Sequence, residues 1–145
     1  DLNWVQLLNA YTCTECGRCT SSCPANLTGK ELSPRKIMMD TRDRLEEVGR
    51  NIDANKGTFV DDGKQLLNDY IKPEELWACT SCNACVEECP VNIDPLSIIM
   101  DMRRYLVMEE SAAPQELNMM MTNVENNGAM WQYSQLDRLN WAKED

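Results

Sequence analysis

The sequence predicts an all-helical fold, and three observations carry that prediction. Amphipathic segments open on proline behind a polar residue. No alternating β-branched run or hairpin signal of weight occurs. One cysteine pattern appears twice, each time preceded by a short helix and followed by a longer, proline-started one.

The first element, DLNWVQLLNA, places Leu2, Trp4, Val5 and Leu8 at helical spacing and leads into Cys13. In LSPRKIMMDTRDRLEEVGR, Ser33 is the expected N-cap and Pro34 the first helical residue. Ile37, Met38, Thr41, Leu45 and Val48 then share a face, and Gly49 is the expected stop. NIDANKGTFVDDG reads as a loop, KQLLNDYI as a short helix, and Pro73 opens PEELWAC, which delivers Cys79. After the second motif Asp94 caps and Pro95 starts PLSIIMDMRRYLVMEE, with Leu96, Ile99, Met102 and Leu106 along one side, widened by Ile98 and Tyr105. Pro114 starts another helix closed by Asn127 and Gly128, and SQLDRLNWAKE reads as a last one.

The chain has 145 residues, 43% of them hydrophobic, which suits a folded domain with a modest core. The formal charge of −10 disfavours nucleic acid and anionic membrane surfaces, and it is compatible with a basic protein partner. No run of 18 apolar residues occurs to span a bilayer. We expect no secretory leader here, and from the start without an initiator Met and the abrupt end on NWAKED we expect either a piece of a longer polypeptide or a processed chain. The methionine pairs and triplets, Met38–Met39, Met100 with Met102 and Met119–Met121, are expected in the core. Trp131, Tyr133 and Trp141 near the end suit either a partner domain or packing back on the core.

The chemistry lies in the cysteines. CTECGRCTSSCP (Cys13 to Pro24) and CTSCNACVEECP (Cys79 to Pro90) share one spacing, and together they use all eight cysteines of a chain without histidine. Four disulfides would suit a small secreted scaffold, which this is not. Two zinc ions could take four thiolates each, but a tetrahedral ion requires neither the third two-residue step nor the proline after the fourth cysteine. Two [4Fe–4S] clusters account for the whole pattern. Cys-x2-Cys-x2-Cys-x3-Cys-Pro is the bacterial ferredoxin run, in which the fourth cysteine reaches across to the other cluster. Carried onto this sequence, Cys13, Cys16, Cys19 and distant Cys89 hold one cluster, and Cys79, Cys82, Cys85 and distant Cys23 hold the other. Cluster binding is then coupled to folding. Pro24 and Pro90 are expected to turn the chain away. The hydroxyls of Thr14, Ser21, Ser22, Thr80 and Ser81 are expected to serve the turns, and Arg18 to face solvent.

The motif pair resembles two-cluster ferredoxins, but 55 residues separate Cys23 from Cys79 and contain a helix. That arrangement resembles the α-helical ferredoxin fold, with two pseudo-symmetric cluster-binding loops between helices. Over about Leu2 to Arg104 the chain is most similar to the dicluster domains of heterodisulfide reductase-related iron–sulfur oxidoreductases. The resemblance implies a dicluster domain over 1–110 and a helical extension over 111–145 that packs on the core or leads to a partner domain. It implies an electron relay whose partners are a redox protein or fused domains: a CCG-type catalytic domain, a flavoprotein or a membrane haem subunit. The expected location is the cytoplasm, at the membrane face where a partner or a further domain supplies the anchor.

The chain departs from that family in two respects. It has no adjacent Cys-Cys pair, so the CCG module is not among these residues, and no His, so no haem-ligating helix is either. No catalytic residue is therefore assigned, and no nucleophile–base set, Walker loop or dinucleotide fingerprint is seen. The rival readings are an iron–sulfur redox or oxygen sensor and a zinc-stabilised interaction module. With eight thiolates added to an acidic chain, low cluster potentials are expected.

Overall fold

The computed structural model describes residues 2–143, and their backbone is helical without a strand. A lone bridge between Leu67 and Ile71 is the sole β-type pairing among the described residues. The helices are α1 (Trp4–Thr12), α2 (Arg18–Ser21), α3 (Pro24–Leu27), α4 (Pro34–Ala54), α5 (Pro73–Trp77), α6 (Ala84–Glu87), α7 (Pro95–Met108) and α8 (Gln115–Asn127). The described residues form two compact units, one up to Tyr105 and one from Leu106 onward.

Within the first unit, α4 is the organising element. Ser33 caps it by accepting from the Lys36 N–H, and Pro34 fills its first turn, where a missing N–H costs nothing. It packs on α1 and α2. Its buried residues Ile37, Met38 and Thr41 recur 61 positions later on α7 as Ile98, Ile99 and Met102, also buried. The same shift carries Ser33 and Pro34 onto Asp94 and Pro95, and Asp94 likewise accepts from a backbone N–H, that of Ser97, at 3.0 Å. Each fully buried isoleucine contributes about 1.5–3 kcal/mol of transfer free energy.

The α1 face departs from the sequence expectation. Trp4, Val5 and Leu8 are 74%, 44% and 49% exposed, and Gln6 and Ala10 are the buried residues. A polar residue can occupy that side because its amide is satisfied. Gln6 Oε1 accepts from the Asn3 N–H at 2.8 Å, and Nε2 donates to Asp101 on α7 at 2.6 Å. Ala10, with no side chain beyond Cβ, permits close approach.

Other elements also differ from expectation. α4 runs through Gly49 to Ala54, so the glycine is a helical residue rather than a stop. KQLLNDYI is not a helix: Leu66–Tyr70 is a wide turn with Asn68 in the left-handed region at φ +78°. The Asp69 carboxylate holds the turn by accepting from the Gln65 N–H at 2.7 Å. Pro24 opens the short helix α3 instead of turning the chain away, because the first helical position tolerates it.

The segment between Ala54 and Pro73 is tied down by polar contacts. Arg44, 9% exposed, donates to both Asp62 carboxylate oxygens at 2.6 and 2.8 Å and to the Lys64 carbonyl at 2.7 Å. Asn51 exchanges two hydrogen bonds with the Val60 backbone, both 2.9 Å. The Tyr70 hydroxyl donates to Glu47. Lys36 Nζ joins three elements, donating to Asp40 at 2.7 Å, the Tyr70 carbonyl at 2.9 Å and both oxygens of buried Glu75 at 3.0 and 3.1 Å.

In the second unit Pro114 precedes α8 and Gly128 ends it at φ +65°. SQLDRLNWAKE forms two single 3₁₀ turns, Gln135–Asp137 and Asn140–Ala142, in place of the expected helix. Arg138 donates to the Gly128 carbonyl at 2.7 Å. The methionine expectation divides. Met38 and Met102 are buried, whereas Met100 is 42% exposed, Met119 61% and Met121 40%. Trp131, Tyr133 and Trp141 are exposed as well. No helix among the described residues is long and apolar enough to cross a membrane.

Candidate metal centre

The two cysteine motifs are built alike. Each starts just past a short helix, α1 or α5, at Cys13 or Cys79. Each then passes through two left-handed residues: Glu15 (φ +57°) and Gly17 (φ +81°) in the first loop, Ser81 (φ +55°) and Asn83 (φ +61°) in the second. These pairs lie 66 residues apart, the same shift that relates the cysteines. Left-handed backbone at Glu15 and Ser81 costs an ordinary residue on the order of 1–2 kcal/mol, and its repetition at both motifs ties it to the loop's task. Such a loop turns N–H groups toward sulfur. The Ser81 N–H donates to Cys79 Sγ at 3.4 Å, and the Ile93 N–H donates to Cys89 Sγ at 3.2 Å.

Short helices follow the loops. α2 carries Cys19, α6 carries Cys85, and the two pack together. Cys23 is the N-cap of α3 and Cys89 closes the turn after α6. Thr20, beside Cys19, shares a hydrogen bond with the capping Ser33 hydroxyl at 2.8 Å and ties α2 to the start of α4.

Cys13, Cys16, Cys19 and Cys89 line one small cavity, with Met38, Val91, Ile93 and Pro95 as its apolar wall. Three of these sulfurs come from the first motif and one from the second. Cys85 lies within electrostatic reach of Cys79 of its own motif and of Cys19 and Cys23 of the first. Cys19 of the first set also acts on Cys85, so the two groups of sulfurs adjoin. Cys23 and Cys85 are buried, while Cys16 and Cys82 are exposed at the loop tips.

The electrostatics of the thiols follow their positions. Burial first, then the neighbouring Cys79, Cys19 and Cys23, pushes the Cys85 thiol up to about 12. Burial also raises Cys19, against the Thr20 hydroxyl, with Cys13 and Cys16 adding to the rise. Cys82 is held below the ordinary thiol range by the Ala84 N–H and then the Thr80 hydroxyl. Crowded thiols that resist ionisation become thiolates when a cationic group binds them. No three His, Cys, Asp or Glu side chains among the described residues close on a single-ion site. Three thiols of one motif and one of the other around a single cavity match the division of sulfurs in the bacterial ferredoxin run.

The flanking hydroxyls play mixed parts. Ser21 bonds the Arg18 carbonyl at 2.9 Å within its own turn, and Arg18 is exposed, both as expected. Two arginines near the loops escape motif reading. Arg42 on α4 pairs with Glu15 at 2.7 Å. Arg103 on α7 donates to the carbonyl of Cys79 at 2.5 Å and lies over the Trp77 ring at 5.0 Å. The signal that could have found them is the repeat itself, since the 61-residue shift relates one to the other.

Comparison with known proteins agrees with this geometry. A family model for the 4Fe-4S dicluster domain matches residues 12–93. The chain is 35% identical, over 99% of its length, to a probable iron-sulfur-binding oxidoreductase FadF of Bacillus subtilis, of which it covers 24%. It is 33% identical, again over 99%, to an EtfAB:quinone oxidoreductase of Syntrophomonas wolfei, covering 23% of that protein. It is also 33% identical, over 74% of its length, to one subunit of a CoB-CoM heterodisulfide reductase of Methanosarcina acetivorans, covering 53% of that subunit. The chain thus spans about a quarter of the first two relatives and about half of the third.

Proposed function

The chain belongs to the 4Fe-4S dicluster domain family, and from that we propose that it is the electron-relay module of a larger heterodisulfide reductase-like oxidoreductase whose catalytic site lies elsewhere. Its two [4Fe–4S] clusters transfer electrons, each cube taking up and returning one. The chain's own part is to fix their positions, exclude water and set their electrostatic surroundings.

In this reading Cys13, Cys16, Cys19 and Cys89 ligate one cluster, and Cys79, Cys82, Cys85 and Cys23 ligate the other. The observation that carries it is the single cavity lined by three cysteines of the first motif and the last of the second. The dicluster domain occupies 1–110, and 111–145 is an extension toward a partner domain. Its partners in this reading are a redox protein or fused domains that carry flavin, haem or a CCG-type site; the relatives named as an EtfAB:quinone oxidoreductase and as a heterodisulfide reductase subunit support a place within an oxidoreductase. A relative named a probable membrane-anchored ferredoxin, 34% identical over 99% of this chain, supports a place at the cytoplasmic membrane face through another domain.

Iron and acid-labile sulfide on anaerobically purified protein, with EPR before and after dithionite, test the reading. Eight of each per chain, with interacting S = 1/2 signals on reduction, are expected. Cys89→Ser is expected to disturb the cluster of Cys13, Cys16 and Cys19. Disturbance confined to the other cluster would overturn the ligand assignment.

A further inference from the structure

The two halves of the chain handle one equivalent arginine differently. The shift of 61 residues that superposes the buried face of α4 on that of α7 carries Arg42 onto Arg103. The shift of 66 that relates the motifs carries Glu15 onto Ser81 and Tyr11 onto Trp77. In the first half, Arg42 Nη2 meets the Glu15 carboxylate at 2.7 Å, inside the loop between Cys13 and Cys16. In the second half, the residue at Glu15's position is a serine, and the guanidinium has another role. Arg103 Nη2 donates to the Leu76 carbonyl at 2.6 Å and to the Cys79 carbonyl at 2.5 Å, and Nε donates to Leu76 again at 3.0 Å. Its plane lies over Trp77, 5.0 Å from the ring centroid.

The Leu76 carbonyl lies in the last turn of α5, where it also accepts from the Cys79 N–H at 3.2 Å, and the Cys79 carbonyl lies just past the helix end. α5 ends at Trp77, and the chain must leave it and place Cys79 within three residues. The guanidinium fork bridges the helix end to the first cysteine of the motif, and stacking on Trp77 fixes its plane. A cation held on neutral carbonyls keeps its field, whereas the cation on Glu15 is largely cancelled at a distance, and a different arginine, Arg35, lines the cavity of the first set of cysteines.

We propose that Arg103 is the positioning residue of the second cluster: it clamps the Leu76–Cys79 turn and places a cation, paired with no carboxylate among the described residues, beside Cys79, so that it raises the midpoint of the cluster of Cys79, Cys82, Cys85 and Cys23. The inference rests on the ligand assignment above. A fixed positive charge stabilises the reduced core, which carries one more negative charge than the oxidised core.

The test is an anaerobic redox titration followed by EPR on the loaded chain and on Arg103→Gln, Arg103→Lys and Glu15→Gln. Arg103→Gln is expected to move one of the two midpoints to more negative values and leave the other in place. Arg103→Lys, which keeps the charge without the planar fork, is expected to restore that midpoint while altering the g values of the same cluster alone. Glu15→Gln, which releases Arg42 from its partner, is expected to raise the other midpoint. Midpoints unchanged in Arg103→Gln, both midpoints moved equally, or Arg103→Gln and Glu15→Gln acting on the same midpoint would each overturn the proposal. If Arg103→Gln does not load eight irons, retention of four supports a single-cluster role. Loss of all eight, with Arg103→Lys spectroscopically unchanged, overturns it. Fewer than eight irons in the unaltered chain would instead sink the two-cluster ligand reading.

Discussion

Lys36 and Glu75 give the sharpest test of what holds the two halves together. Glu75 is 3% exposed, and both its carboxylate oxygens lie within 3.1 Å of Lys36 Nζ. Burial opposes the ammonium, but the hydrogen bonds to Asp40 and Glu75 and their charges outweigh it, lifting the Lys36 pKa above the ordinary lysine value. A lysine pKa raised by folding stabilises at every pH below the unfolded value, so this contribution is fully present at neutral pH and fades only as pH rises through the folded value. Charged hydrogen bonds contribute about 1.5–3 kcal/mol each, and the Lys36 side chain is 45% exposed, which favours the lower end. Lys36→Met should therefore cost about 2 kcal/mol, mostly by leaving a buried carboxylate without its cation. The assay is the rate at which a chelator bleaches the anaerobic holoprotein, since release requires opening. A 2 kcal/mol loss corresponds to about 30-fold faster bleaching. In a Glu75→Gln background the same Lys36→Met change should accelerate bleaching only about threefold, because the charge to be stranded is gone. Equal acceleration in both backgrounds would refute the coupling and leave Lys36 a surface residue.

Other expectations follow from the same architecture. Removing iron with chelator should collapse the first unit, seen as loss of helical circular dichroism and NMR dispersion, because the motif loops have few apolar contacts of their own. Ile98→Ala, at a fully buried position, should cost about 2–5 kcal/mol and accelerate cluster bleaching accordingly, with Ile37→Ala close behind. Gly17→Ala forces a side chain onto φ +81° and should destabilise by about 1 kcal/mol, whereas Asn83→Gly at the equivalent φ of +61° should be neutral or mildly stabilising in the same bleaching assay. The Arg44 hydrogen bonds hold Asp62 at a pKa of about 2, so the stability from that pair is present above the unfolded value near 4 and is lost only as pH falls toward 2. Hydrogen exchange between residues 58 and 65 should stay slow from pH 8 to 5, and Arg44→Met should release it throughout that range.

The helical architecture was legible wherever a capping residue stood before a proline. Ser33–Pro34 and Asp94–Pro95 mark true helix starts because both signals act locally, on one backbone turn. The cysteine spacing was equally plain. What stayed hidden depended on partners distant in sequence. Nothing local says that Gln6 will be buried, since its burial requires the Asp101 carboxylate. KQLLNDYI has helical composition, yet Asp69 and the left-handed Asn68 make it a turn that delivers Ile71 to the core. Gly49 reads as a stop because glycine often is one, but an ordinary helical conformation is open to it as well. Met119 and Met121 look like core from their spacing, but α8 buries no residue fully and half-covers Leu117, Met120 and Asn123 instead. Arg103 bears no motif at all; only alignment of the two halves exposes it.

The shared cavity has a consequence for the order of events during synthesis. Cys19 and Cys89, which line it together, are 70 residues apart in the chain. At roughly 5–20 residues per second, a ribosome needs about 4–14 s to travel from one to the other. Throughout that interval the first three thiols of the ring are made and the fourth does not yet exist. A nascent chain therefore meets oxidants or stray metal ions with an incomplete set, and delivery of a preformed core too early would find three sulfurs and an open corner. On the proposed ligand assignment neither cluster can be closed before the second motif is made, so the two are completed as one late event, and loading machinery has no half-finished intermediate to recognise at the first motif alone.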